Sequence, residues 1–368
     1  MYRMEHYLDN AATTAVCEEA AEAAKNAMLI NYGNPSSTHT KGRQAKKLLD
    51  ESRLTIADAL GCSKDELIFT SCGSESDNWA IINGAEVMKR HGNHVITSQV
   101  EHDAVRKSFD ELERRGFEVT RLLPDETGKI RAEDVASALR DDTILVSLML
   151  VNNETGAVND IASIAKAVRS ASPSALIHTD AVQAFLKIPF KAKTLGADMI
   201  SISGHKVHAP KGLGALYIRK GIKLKPFIAG GEQENGFRAG TEALPNIAAF
   251  AAAVKAYTPM EDLKPYLISQ LPEGCTYIQS DAPHIISISL PGYKSEVLMN
   301  YLEAREIYVS KSSACKQGKR SHVLECCGLD SRTIDGALRI GLSRFTAKTD
   351  IDAFIEALTE AKNTLRHL

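Results

Sequence analysis

No apolar run in this 368-residue chain approaches the roughly 20 residues needed to span a bilayer. The longest, Ile144 to Val151 and Ile247 to Val254, read as a buried strand and a core helix. The opening residues Met1-Tyr2-Arg3-Met4-Glu5-His6 hold neither the hydrophobic core of a secretory leader nor an Arg/Ser-rich transit pattern. The seven cysteines contain no Cys-x-x-Cys pair, which argues against a disulfide framework and a structural zinc site. A reducing, cytoplasmic setting is the simplest expectation. Cys72, Cys326 and Cys327 then read as small packing residues. A net charge of −2 requires neither a nucleic-acid nor a membrane partner. Internal repeats and low-complexity tracts are also missing.

What remains is the composition of an ordinary globular protein long enough for two domains. Strand-like runs at Glu66 to Thr70, Asn93 to Ser98, Phe117 to Leu122 and Thr143 to Leu150 alternate with helical ones. The helical runs are Thr38 to Leu60, the stretch from the Ser71-Glu75 turn to about Met88, Asp103 to Arg114, and Asp160 to Ser170. The alternation predicts an α/β fold, with a mostly parallel sheet flanked by helices. In such sheets ligands bind beyond the carboxyl ends of the strands. Gly73-Ser74, His102, Asn153, Asp180, Gln183, Ser203 and His205-Lys206 all fall at such ends. From about Tyr257 the pattern changes. Breaks at Thr258-Pro259 and Leu271-Pro272-Glu273-Gly274 precede short strands (Ile285 to Leu290, Leu338 to Leu342) and helices (Ser295 to Ala304, Asp350 to Leu365). A smaller α+β C-terminal domain is expected there. The division is 13–256 for the large domain, with 1–12 and 257–368 forming the small one.

Two of the predicted strand ends carry chemistry. One delivers Thr179-Asp180-Ala181-Val182-Gln183, the other Ser203-Gly204-His205-Lys206. An amine, a carboxylate, an amide, a hydroxyl and an imidazole are the groups needed to grip pyridoxal phosphate. The lysine condenses with the aldehyde, the acid pairs with the pyridine nitrogen, and the polar neighbours hold phosphate and phenolate. Cys315 lies in a small, polar, basic segment, Lys311 to Arg320. An amine site together with an exposed thiol points to sulfur transfer.

The whole chain resembles the cysteine desulfurases of the class V aminotransferase group, whose fold is the type I fold of pyridoxal-phosphate transferases. The resemblance is carried by Tyr7-Leu8-Asp9-Asn10-Ala11-Ala12-Thr13-Thr14, Tyr32-Gly33-Asn34-Pro35-Ser36-Ser37, Val100-Glu101-His102 and Val151-Asn152-Asn153-Glu154-Thr155-Gly156. It continues in His178 to Gln183, Ser203 to Lys206, Phe237-Arg238-Ala239-Gly240-Thr241-Glu242, Ser313-Ala314-Cys315 and Leu338-Arg339-Ile340. It implies that Lys206 is the covalent anchor and proton shuttle, that Asp180 keeps the ring nitrogen protonated, and that Gln183 binds the phenolic oxygen. His102 would stack on the ring and assist proton transfer. Gly73, Ser74, Ser203 and His205 would cradle the phosphate, joined by Thr241 of a partner subunit in a homodimer. Asn153 and Arg339, helped by Asn34, would hold the carboxylate of L-cysteine. Cys315 would take the sulfur as a persulfide, its thiolate favoured by Lys316, Lys319 and Arg320. An iron–sulfur scaffold or another sulfur carrier, serving cluster, cofactor or tRNA assembly, would receive it. No resident metal is implied, beyond a transient iron–sulfur ligand role for Cys315.

The chain departs from the commonest family pattern at Ser71-Cys72-Gly73-Ser74 (usually Ser-Gly-Ala-Thr), His208-Ala209, Asn235, Lys311-Ser312 and Arg320. These changes spare the cofactor ligands and bear on loop mobility and acceptor choice. Two rival readings stand beside the desulfurase. One is a selenocysteine lyase or another class V lyase or aminotransferase. The other is a non-catalytic, partner-binding scaffold, which a chain retaining Lys206, Asp180, His102, Cys315 and Arg339 does not resemble.

Overall fold

A computed structural model describes residues 5–278, 280–312 and 320–366. Thirteen strands are described: β1 (His6–Tyr7), β2 (Leu67–Thr70), β3 (His94–Ser98), β4 (Glu118–Leu122), β5 (Thr143–Ser147), β6 (Leu176–Asp180), β7 (Met199–Ser203), β8 (Gly214–Ile218), β9 (Thr276–Ile278), β10 (Ile285–Ser289), β11 (Ile307–Tyr308), β12 (Ser310–Lys311) and β13 (Ala337–Gly341). Seven form the main sheet in the order β2-β8-β7-β6-β5-β3-β4. The pairs from β7 through β4 are parallel, and β8 runs antiparallel to both of its neighbours.

Both faces of this sheet are covered, which is why β5, β6 and β7 are buried throughout and read as continuous apolar runs. One face packs Leu49, Ile56, Ile164, Ile200, Ile247 and Phe250 into a single cluster. The other packs Trp79, Phe109, Leu112, Leu145, Met199 and Leu216. The helix Asp103–Arg114 buries Val105, Phe109 and Leu112, spaced four and three apart. The helix Thr40–Leu60 stops at Gly61, whose φ of 78° is a left-handed conformation that glycine adopts without strain.

A second sheet, β12-β13-β10-β9, is antiparallel throughout. It has its own core of Leu8, Ile286, Ile288, Leu298, Ile340, Phe354 and Leu358. The N-terminal strand β1 pairs with β11, and Asp9 bridges to Gly341. Residues 5–9 therefore pack with the C-terminal part of the chain. No described helix is long and apolar enough to cross a membrane.

Two expected elements differ. The run Thr143 to Leu150 stops as a strand at Ser147, because β3 ends at Ser98 and the Met149 N–H turns instead to the Glu101 carboxyl at 3.0 and 3.2 Å. The helix toward Met88 begins at Gly73 and is interrupted by a π turn over Trp79–Asn83, a widening common beside functional sites.

Candidate active site

A cavity of about 800 Å³ opens at the carboxyl ends of β3, β5, β6 and β7. Its walls include Gly73, Ser74, His102, Asn153, Asp180, Gln183, Ser203, His205, Lys206 and Arg339. Ten of the expected site residues, from six separate stretches of sequence, thus share one space.

Lys206 follows β7 in a single 3-10 turn. Its Nζ donates to the carbonyl oxygens of Ala11 and Ala12, each at 2.7 Å. Loss of solvent, reinforced by the Arg339 charge, pulls its pKa down to about 8, against the opposing pull of Asp180. Asp180 is the last residue of β6, and one of its oxygens accepts the Val182 N–H at 2.9 Å. Burial raises its pKa, while His102 and Lys206 hold the rise back. Gln183 is buried, and its amide donates to Ala11 O at 2.8 Å.

His102 caps the helix Asp103–Arg114, its Nδ1 accepting from the Ala104 N–H at 3.1 Å. It is thus a helix-cap residue and a wall of the cavity at once. His205 meets Thr13 Oγ1 at 3.1 Å, and burial beside Lys206 lowers its pKa to about 4. Gly73 opens a helix, and a Cβ built there would lie 2.7 Å from Val182 Cγ2. The Val182 methyl must shift to admit even a methyl group here.

Residues 6–354 match the family described as Aminotransferase class-V. The chain belongs to this family. It is 39% identical over 377 residues to the cysteine desulfurase IscS of Methanosarcina thermophila, covering 98% of this chain and 93% of that protein. A solved structure described as a NifS-like protein superposes with a TM-score of 0.92 at 35% identity, over 98% of this chain and 100% of the other. Another, described as SspA in complex with cysteine, gives 0.84 at 32% identity, over 94% of this chain and 100% of the other. Class V aminotransferases are pyridoxal-phosphate enzymes.

In this class V chain Arg339 enters from the second sheet. It is 2% exposed and donates to Asn153 O at 2.8 Å and to Asp9 Oδ1 and Ser310 Oγ at 3.2 Å each. Its Nε is buried with no hydrogen-bond partner among the described residues. A buried guanidinium in the cavity wall, with one N–H unpaired, is suited to an anion.

Other expected residues lie elsewhere. Asn34 is exposed, accepts the Ser36 N–H at 2.9 Å, and is not a wall of the cavity. Thr241 is likewise exposed and apart from it. Cys315 lies outside the described residues. Arg320 lines the cavity, but its guanidinium is paired with Asp335 at 2.7 and 3.1 Å, so its charge is already matched on that side. Cys327 is buried as expected. Cys326 is not a core filler: it is half-buried, with Sγ 3.5 Å from His322 Nε2 and 3.6 Å from Gln99 Oε1. Cys72 lines the cavity as well as packing against its neighbours.

Sequence reasoning passed over Asp77, Glu101 and Glu154 as wall residues. Asp77 stands four residues after Gly73, one helical turn along the same face, which was the available signal. Glu101 precedes His102. Burial pushes its carboxyl up to about 8, although Ser98 Oγ donates to it at 2.6 Å. Glu154 accepts from Ser321 Oγ at 2.5 Å, and burial raises it to about 7.

Proposed function

We propose that this chain is a pyridoxal-phosphate-dependent cysteine desulfurase that converts L-cysteine to L-alanine and leaves the sulfur as a persulfide on Cys315. The observation that carries the reading is the arrival in one cavity of Lys206, Asp180, Gln183 and His102 with a buried Arg339 whose Nε is unpaired. The desulfurase IscS and the cysteine-bound SspA among its relatives support the same substrate.

The residues fit the cofactor by charge and by space. A lysine poised near 8 is a usable nucleophile at neutral pH, and Asp180, a buried acid in the cavity wall, would pair with the pyridine nitrogen. The tight Gly73 turn leaves backbone beside the cavity with Ser74 exposed to it, suited to phosphate. Ser203 and His205 complete that end. Bound pyridoxal 5′-phosphate supplies an electron sink for the pair released when the substrate Cα loses its proton.

The chain's own residues do the rest. Arg339 and Asn153 orient the cysteine carboxylate. Lys206 removes and returns protons at Cα, and its lowered proton affinity keeps part of it free base. His102, with Nδ1 occupied by the Ala104 N–H, is oriented for proton transfer through Nε2. The Cys315 thiolate attacks the substrate sulfur, the substrate C–S bond breaks, an S–S bond forms, and the carbon gains a proton to give alanine.

The same reading makes the protein a cytoplasmic homodimer of two-domain subunits divided at 13–256 and at 1–12 with 257–368. Exposed Thr241 would complete the partner's phosphate site. Met28, Leu29, Ile30 and Tyr32, each more than half exposed, supply apolar surface for the second subunit. The persulfide would pass to an iron–sulfur scaffold or another sulfur carrier.

The deciding experiment measures sulfide and alanine from L-cysteine with a thiol reductant, for wild type and Cys315→Ala. Equal yields from wild type, with turnover lost in the variant but its cofactor spectrum kept, support the proposal. An equally active variant removes Cys315 as acceptor and favours a lyase such as a selenocysteine lyase. A wild type without a cofactor spectrum favours a scaffold.

A further inference from the structure

Beside Asp180 in the cavity wall lies a second acid that the reaction as described does not use. Asp77 is 1% exposed and lines the cavity. One of its oxygens, one of Asp180's and a ring nitrogen of His102 all lie within 4.8 Å of one another. Asp77 Oδ1 has no hydrogen-bond partner among the described residues. Its neighbour at 3.6 Å, His178 Nε2, is committed to Ser201 Oγ at 2.9 Å, while the other ring nitrogen meets Ser147 Oγ at 2.8 Å.

Two carboxyl groups this close and this deep do not both ionise. The surroundings decide which keeps the proton. Asp180 has the Val182 N–H, and His102 and Lys206 both favour its anion. Burial first, and then the Asp180 charge, disfavour the Asp77 anion, against which stands the Ser201 hydroxyl. His178 offers no compensating charge, because burial drives its pKa down to about 3. The asymmetry is therefore built into the elements packed around the pair.

We propose that Asp77 is a positioning residue, a neutral carboxylic acid whose proton is shared toward the Asp180 carboxylate and keeps Asp180 anionic opposite the cofactor's ring nitrogen. The role of Asp180 in this inference rests on the proposed cofactor. The protonation state of Asp77 does not. An ionised Asp77 would push a proton onto Asp180 and remove the counter-charge that the ring nitrogen needs.

The test compares Asp77→Asn, which keeps a neutral donor, with Asp77→Ala, which keeps neutrality and loses the donor. The first readout is the pH titration of the cofactor's visible absorption in the substrate-free holoenzyme. Asparagine should leave the midpoint at the wild-type value and kcat within about twofold. Alanine should move the midpoint by about one unit and lower kcat on the order of tenfold with KM little changed. Equal shifts in both variants would mean that wild-type Asp77 is charged, and overturn the proposal; no shift in either would overturn it too.

The second readout is independent of cofactor and of the alanine variant's folding. The infrared difference between wild type and Asp77→Asn without cofactor, at neutral pH, should contain the carbonyl stretch of a protonated carboxylic acid. Carboxylate bands in its place refute a neutral Asp77. If wild type binds no cofactor, the infrared result still decides the proton, and the desulfurase reading alone fails.

Discussion

The Lys206 amine and the Ala11 carbonyl lie 2.7 Å apart, joining the end of β7 to the segment that leaves β1. The same carbonyl also takes the Gln183 amide. One backbone oxygen thus fixes two groups that the sequence places 23 residues apart. It also explains why Ala11 and Ala12, just after the Asp9 bridge to Gly341, line the cavity.

This setting predicts how Lys206 titrates. Burial disfavours the ammonium form, so the free amine should predominate above about pH 8 instead of near 10.4 as for an ordinary lysine. In the cofactor-free protein, acylation of Lys206 followed by peptide mass spectrometry should reach half its limiting rate near pH 8, while surface lysines keep rising. A half-rate at pH 10 or above would contradict the burial argument. Lys206→Ala should lower sulfide release on the order of a thousandfold.

Arg339 predicts a split between kinetic constants. Its Nε is held unpaired while the other guanidinium nitrogens are anchored to Asn153, Asp9 and Ser310. Arg339→Lys cannot reproduce a fork held at three points. KM for cysteine should rise about 10- to 100-fold, with a smaller fall in kcat, since a carboxylate grip is present in ground and transition state alike. An unchanged KM would remove Arg339 from substrate binding.

Gly73 and Val182 form a steric pair. Gly73→Ala places a methyl 2.7 Å from Val182 Cγ2, so either the helix start or the Asp180-Val182 turn must shift. Cofactor affinity should fall at least about tenfold, and Val182→Ala should restore most of it in the double variant, giving a coupling of ~1 kcal/mol or more. Independent, additive losses would show that the two do not touch in solution.

The residues legible in the sequence were those whose partners are encoded nearby. Asp180 and Gln183 sit on one strand end, His205 and Lys206 on another, and the alternation of apolar runs places both ends on one edge of the sheet. Strand β5 was legible as a continuous apolar run, and the helix Asp103–Arg114 by the spacing of its apolar residues. What escaped notice depends on contacts across the chain. Asp77 looks like an ordinary surface acid in Ser76-Asp77-Asn78 until Asp180 and His178 close over it. The end of β5 was set by Glu101, 48 residues away from Met149, and no local pattern carries that. Cys326 looked like filler because the half-open space around His322 and Gln99 exists only in the folded chain.

Lys187 follows from the same crowding, and it predicts a pH-dependent stability. It is largely withdrawn from water, with the Gln183 oxygen 3.5 Å away. Burial, then the charges of Lys206 and Arg339, lower its pKa to about 7. In the unfolded chain it titrates near 10.4. Below pH 7 both states carry the charge and the folded state bears the full cost of burying it. Between about 7 and 10.4 the folded state releases the proton first, so the cost shrinks as pH rises, and above that range it is gone. Lys187→Met, similar in length and uncharged, should therefore stabilise the cofactor-free protein by roughly 2–4 kcal/mol at pH 6. The gain should be much smaller at pH 9.5. Urea unfolding of wild type and variant at the two pH values checks this. A gain that is constant with pH would assign the effect to packing, and a loss at pH 6 would mean that the buried ammonium is held by partners stronger than the Gln183 oxygen.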